Sequence, residues 1–165
     1  MYYRTTAVAA MLALAAGAAW SHGGSSHEKK PAAQAANINA EQHAFGRAGD
    51  PEKVTRTIAV GMDDTMHFTP GDLVLKKGET VKFVVRNGGK IMHEMVIGTM
   101  KELKEHAELM RKFPNMEHDE PYMAHVAPGK KGELTWHFTR AGEFFYACLI
   151  PGHLEAGMIA KITVK

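Results

Sequence analysis

The segment from Cys148 to Met158 concentrates side chains that bind soft metal ions. It reads C-x4-H-x4-M, with His153 midway and a Pro151-Gly152 turn just before the histidine. Thiolate and thioether groups favour Cu(I), whereas imidazole also accepts Cu(II). Because Cys148 is predicted to end one strand and Met158 to begin the next, a single loop would carry all three donors.

A fourth ligand has to come from a neighbouring strand, and His93 is the candidate. It follows the Gly88-Gly89 turn and begins a predicted strand about 55 residues before Cys148. Two imidazoles and a thiolate in one plane, with a weak axial thioether, form a type 1 copper site. The sequence therefore predicts one copper ion bound by four residues: His93, Cys148, His153 and Met158.

The alternative is a buried structural cysteine near a surface histidine and a core methionine, since both sulfur residues often pack in cores. That alternative does not explain why the spacing, the Pro-Gly turn and the strand ends coincide. Cys148 is also the single cysteine of the chain, so it cannot form an internal disulfide. In an exported protein a lone thiol is a hazard unless it is buried, reactive or bound to metal.

Short runs of strand-forming residues begin after Val54 and alternate with Gly- and Pro-rich turns. The predicted strands cover residues 55–60, 72–76, 80–85, 93–97, 122–126, 133–138, 143–148 and 158–164. One helix interrupts them, because Thr99 and Glu102 form a capping box and Pro114 ends the apolar helical spacing that follows. This pattern predicts an all-β antiparallel sandwich or barrel with one short helix inserted.

These features resemble the plastocyanin and azurin family of cupredoxins. The resemblance rests on the ligand loop, on Phe68-Thr69-Pro70, on the turn at Gly78-Glu79-Thr80-Val81 and on residues 87–93, and it extends from about His43 to Lys165. It is greatest to the small periplasmic cupredoxins linked to copper tolerance in Gram-negative bacteria. It implies a Greek-key cupredoxin β-sandwich and places the family's copper ligands at the four residues already named.

Glu94 departs from the pattern of that family. Plastocyanins and azurins usually carry Asn directly after the first histidine ligand, where it supports the site by hydrogen bonding. An ionisable group beside the ligands changes the colour and the potential of a metal site. The resemblance therefore does not extend to the usual blue spectrum.

Two Met-x-His pairs follow the predicted helix: Met116 with His118, and Met123 with His125. On extended backbone, residues two apart face the same side, so each pair presents a thioether beside an imidazole. His106 and Met110, four apart on the helix, can join them. One hypothesis is a second, softer site for Cu(I). The alternative is a polar loop under which the methionines pack.

Residues 1–21 have the features of a secretory signal peptide, with Arg4 followed by an uncharged Ala- and Leu-rich stretch and then small residues. The apolar stretch is too short to span a bilayer, so a permanent membrane anchor is not predicted. Residues 22–53 are predicted to be a flexible, histidine-containing tether, and residues 54–165 the cupredoxin domain. Export by this signal predicts a periplasmic location.

The composition excludes several classes of function. A formal net charge of +2 gives no basic face for nucleic acid. The chain has no His-x-His pair for a trinuclear copper cluster and one cysteine where a binuclear site needs two, so we expect no enzyme.

We predict a role in copper tolerance, by binding copper and cycling Cu(I)/Cu(II). The alternative is a diffusible electron carrier between periplasmic redox enzymes. The expected partners are copper and a redox or copper-transfer protein.

Overall fold

The structure, a computed structural model, describes residues 41–114, 116 and 118–165. The predicted signal peptide and residues 22–40 of the predicted tether lie outside these residues. The described chain contains one α-helix, a one-turn 3-10 helix at Pro51–Lys53 and ten strands. Their bounds are β1 Arg47–Ala48, β2 Arg56–Met62, β3 Phe68–Thr69, β4 Leu73–Leu75, β5 Thr80–Asn87, β6 His93–Gly98, α1 Met100–Lys112, β7 Met123–Val126, β8 Lys131–His137, β9 Gly142–Ala147 and β10 Ile159–Val164.

The strands form a sandwich of two five-stranded sheets. One sheet has the order β1-β8-β5-β2-β3, and the other has the order β4-β10-β9-β6-β7. Alternate residues of the strands face inward, and large apolar side chains from both sheets fill one core, among them Phe83, Trp136, Tyr146 and Ile162. The predicted β-sandwich with one short helix is therefore confirmed.

Two strand pairs depart from the predicted antiparallel arrangement. β2 pairs in parallel with β5, and β4 pairs in parallel with β10. Parallel neighbours need a crossover connection. Here the chain leaves the first sheet after β3, contributes β4 to the second sheet, and returns to place β5 beside β2. A prediction from local hairpin patterns misses such pairs, because no tight turn joins them.

The folded part of the chain begins before the predicted boundary at Val54. Phe45 is buried and stacks on Trp136 with ring centroids 5.1 Å apart, and the indole N–H of Trp136 donates to the carbonyl oxygen of Phe45 at 2.9 Å. β1 then pairs with β8. Residues 45–48, at the C-terminal end of the predicted tether, therefore pack against the core through the buried Phe45 ring and the pairing of β1.

The helix α1 begins where the capping box predicts. The Thr99 side chain accepts from the backbone N–H of Glu102, whose carboxylate accepts from the backbone N–H of Thr99. Leu103 packs with Val96 and Leu149 in an apolar cluster on the outer face of the second sheet. Because α1 covers this face, both faces of β6 are buried. No helix in the part of the chain that the structure describes is long and apolar enough to cross a membrane.

Candidate metal centre

Three of the four predicted copper ligands meet at one end of the sandwich. One ligand atom each of His93, Cys148 and His153 lies within 4.8 Å of the other two. His93 begins β6, Cys148 follows β9, and these two strands are hydrogen-bonded neighbours. The cluster is therefore held by adjacent strands rather than by mobile chain ends. His93 and Cys148 are fully buried, and His153 is 9% exposed.

Backbone hydrogen bonds fold the ligand loop back on itself. The N–H of Cys148 donates to the carbonyl oxygen of Met158 at 3.0 Å, and the N–H of Met158 donates to that of His153 at 3.0 Å. Gly152 and Gly157 have φ values of 92° and 95°, a region that favours glycine. These turns place the backbone of Met158 beside the cysteine and the histidine, and its side chain is fully buried.

The polar atoms of the cluster suit a metal ion. The Nδ1 atom of His93 is buried and has no hydrogen-bond partner among the described residues. Such an unpaired buried group is costly unless something unseen binds it. The Cys148 Sγ and His153 Nδ1 atoms lie 3.2 Å apart. A thiol, an imidazole nitrogen without a partner and a second imidazole converge here, and this donor set fits copper.

Burial controls the protonation of the metal-free site. Burial raises the pKa of the Cys148 thiol to about 12. Burial, followed by the neighbouring imidazole of His93, lowers the pKa of His153. Metal binding needs a thiolate and neutral imidazoles. The histidine is thus already in its binding form at neutral pH, whereas the thiol has to release its proton to solvent when a metal cation binds.

Glu94 lies on the opposite face of β6 from His93 and is only 2% exposed. One carboxylate oxygen accepts from the backbone N–H of Leu149 at 2.8 Å, directly after the cysteine. The other lies 2.9 Å from Nδ1 of His125. The hydrogen bond to Glu94 raises the pKa of His125. Glu94 therefore supports the ligand loop, as the family's usual Asn would, and also adds a charge.

The contact between Asp64 and His93 was not predicted from the sequence. The Oδ1 atom of Asp64 lies 3.2 Å from Nε2 of His93, and the Asp64 carboxylate accepts from the backbone N–H of Lys90 at 2.8 Å. In a histidine that binds a metal, the N–H of the second ring nitrogen usually donates a hydrogen bond to a carboxylate or carbonyl group. An acceptor for His93 was therefore to be expected, but nothing in the sequence indicates which residue, 29 positions away, supplies it.

Comparisons with known proteins agree with this geometry. The family model of copper-binding proteins of the plastocyanin/azurin family matches residues 54–165. The chain belongs to this family. A cupredoxin of this kind binds copper, and the donor cluster described above contains three of the four predicted ligands.

Two relatives carry a more specific name. The chain is 48% identical over 139 residues to the copper-resistant cuproprotein CopI of Rubrivivax gelatinosus, covering 84% of each chain. It is 34% identical to the copper-resistant cuproprotein CopI of Pseudomonas aeruginosa, over 76% of this chain and 85% of that protein. Among solved structures, auracyanin B superimposes with a TM-score of 0.59 at 22% identity, over 77% of this cupredoxin and 99% of auracyanin B, which shows the shared fold.

Part of the predicted second cluster also comes together. The Nε2 atoms of His106 and His118 are 2.7 Å apart, and the rings of His118 and His125 have centroids 5.9 Å apart. Met116 is 44% exposed and lines the same open cleft of about 980 Å³ as His118 and His125. Met123 instead packs under α1 in the apolar cluster, on the same face of β7 as His125. His106 thus lies with the group, as the helical spacing allowed, whereas Met123 lies beneath it.

Proposed function

We propose that this cupredoxin holds one type 1 copper ion and serves copper tolerance in the periplasm, the ion alternating between Cu(I) and Cu(II). The proposed ligands are His93, Cys148, His153 and Met158. The convergence of the thiol and two imidazoles at one buried point carries the proposal. The name of the two relatives, copper-resistant cuproprotein, supports copper tolerance. The periplasmic location rests on the predicted signal peptide in residues 1–21.

The chain's own residues supply rigidity and access. When bound, copper provides a single-electron redox couple between its two oxidation states. His93 is fixed by the start of a strand that is buried on both faces, and the loop from Cys148 is closed by the backbone bonds to Met158. His153 is the one residue of the cluster with measurable exposure, so we assign exchange with partners to its side. The proposal includes binding and electron exchange and no enzymatic turnover.

The copper site is tested with purified mature protein. We expect Cu(II) to produce intense thiolate-to-copper charge-transfer absorption, and Cys148→Ser to abolish both this band and tight copper uptake. Met158→Leu should shift the band and raise the potential by removing the thioether. Met62→Leu, which changes an equally buried methionine elsewhere in the core, is the control and should leave the spectrum unchanged. Copper uptake that survives Cys148→Ser would contradict the ligand assignment.

The physiological role is tested in a deletion strain grown in graded copper, with and without oxygen. We expect increased copper sensitivity that the wild-type gene corrects and Cys148→Ser does not. The second candidate, a diffusible electron carrier, is favoured by the exposed apolar side chains of Ile91 and Met92 just before His93, which suit transient docking. Normal copper resistance combined with a respiratory defect would support that candidate instead.

We also propose that the histidine cluster beside α1 binds a second copper as Cu(I). Its proposed donors are His118, His125 and Met116. The Nε2 atom of His106 lies within hydrogen-bonding distance of the Nε2 atom of His118. Met123 is buried in the apolar cluster and supports the donors from beneath. Replacing Met116, His118, Met123 and His125 together should remove one equivalent of bound Cu(I) in a chelator competition assay. His67→Gln, at an exposed histidine outside the cluster, is the control. Unchanged stoichiometry and affinity would refute the second site.

A further inference from the structure

The two imidazoles of the metal centre differ in what lies behind them. The Nε2 atom of His93 faces the carboxylate of Asp64 at 3.2 Å, on the opposite side of the ring from the unpartnered Nδ1. Among residues 41–114, 116 and 118–165, no carboxylate comes within ion-pair distance of His153. One of the two histidine ligands is therefore backed by a charge, and the other is not.

This contact defines the state of the His93 ring. An ionised carboxylate only accepts hydrogen bonds, so Nε2 carries the hydrogen and Nδ1 keeps its lone pair. That lone pair lies in the donor cluster with Cys148. A carboxylate hydrogen-bonded to the far nitrogen also makes the near nitrogen a stronger electron donor to a cation. Asp64 thus orients His93 and increases its basicity at the same time.

The neighbouring loop is built around the Asp64 carboxylate. The N–H of Lys90 donates to it, and the side chain of Asn87 accepts from the N–H of Gly89 at 2.8 Å, which fixes the same turn. A Cβ atom at Gly89 would overlap with Asp64 Oδ1. A side chain at Gly89 would therefore displace the Asp64 carboxylate, which occupies that space.

We propose that Asp64 is a positioning residue for the copper centre: it fixes the tautomer of His93 and shifts the equilibrium of the bound ion toward Cu(II). The inference rests on the proposed type 1 site and deepens it. A negative charge close behind a ligand stabilises the divalent ion more than the monovalent ion, since attraction is proportional to the product of the charges. The carboxylate is 38% exposed, so solvent weakens this attraction without removing it.

The test compares Asp64→Asn and Asp64→Ala with Asp63→Asn. Asp63 is the adjacent aspartate and contacts Thr65 rather than a proposed ligand, so its variant makes the same change in net charge. For Asp64→Asn we expect the ratio of Cu(II) to Cu(I) affinity to fall about tenfold, which is a rise of about 59 mV in potential. Asp64→Ala should raise the reduction potential by at least as much. The Asp63→Asn potential should equal that of the wild type.

The second readout uses metal-free protein, so it does not depend on the copper assignment. Nitrogen-15 NMR of the His93 ring should show hydrogen on Nε2 in the wild type and in Asp63→Asn, and a mixture of tautomers in Asp64→Ala. Equal potentials in all three variants would overturn the inference, as would a wild-type ring with hydrogen on Nδ1. A change confined to thermal stability would also overturn it. Absence of a thiolate-to-copper band in the wild type would refute the proposed function instead. In that case the NMR result alone would decide whether Asp64 fixes the tautomer of His93.

Discussion

The pairing of Glu94 with His125 leads to a quantitative prediction for metal-free protein. Glu94 is a buried carboxylate with two partners, and His125, with a side chain 35% exposed, supplies one of them. A hydrogen bond to a charged group contributes about 1.5–3 kcal/mol net. Because solvent reaches the histidine, we take the lower value, about 1.5 kcal/mol, for His125→Ala at pH 5.5. For a domain of this size that loss lowers Tm by about 5 °C.

The pH dependence of this loss has a definite sign. The hydrogen bond to Glu94 raises the pKa of His125, so the folded state favours the protonated ring. The resulting stability is fully present below 6.5, the ordinary pKa of histidine, and is lost as the pH rises through the raised pKa of the folded state. At pH 9 a neutral hydrogen bond remains. The cost of His125→Ala should then fall to about half of its value at pH 5.5.

Urea unfolding of the metal-free protein at pH 5.5 and pH 9 measures both values. His137→Ala is the matched control, because its ring nitrogen contacts the neutral hydroxyl of Thr80 at 2.9 Å rather than a carboxylate. In a Glu94→Gln background, His125→Ala should cost about the same at both pH values. The reasoning is refuted if His125→Ala in the wild-type background costs as much at pH 9 as at pH 5.5, or more.

Three further predictions concern burial and packing. Burial raises the pKa of Cys148 to about 12 in the folded state. The metal-free protein should therefore lose stability as the pH rises above about 9, where the thiol of the unfolded chain ionises. Alkaline unfolding curves of Cys148→Ser should not show this loss. Gly89→Ala should weaken copper binding and lower Tm, since its Cβ would displace Asp64; thermal scans that match the wild type would contradict the close approach. Leu103→Ala should cost about 2–5 kcal/mol in denaturant unfolding, because its side chain fills the cluster under α1.

Local order in the sequence explains which parts of the site were predictable. Cys148, His153 and Met158 lie on one loop, so their spacing alone shows that they share it. The helix start at Thr99 was predictable for the same reason, because a capping box involves residues three positions apart. The contact between Asp64 and His93 joins two turns through the tertiary fold. No periodicity or spacing reports such a contact, and the pairing of β2 with β5 was missed for the same reason.

The second cluster shows what the alternation of side chains along a strand can and cannot predict. Alternation correctly places Met123 and His125 on one face of β7, but it does not show what covers that face. α1 covers the Met123 end, where Leu103 packs, and leaves His125 at the edge of the cleft. The role of Glu94 was anticipated only as a departure from the family pattern. Its pairing with His125 depends on the register between β6 and β7, which sets these two residues opposite each other.

The burial of the proposed ligands also bears on how a copper ion held there would be released. His93, Cys148 and Met158 are enclosed by the sandwich, and His153 alone borders the solvent. If these residues hold copper as proposed, we expect a chelator or acceptor protein to approach from the His153 side and to meet that imidazole before the sulfur atoms. Access through the fold, rather than the strength of each individual ligand, would then set the order in which the proposed ligands meet a competitor.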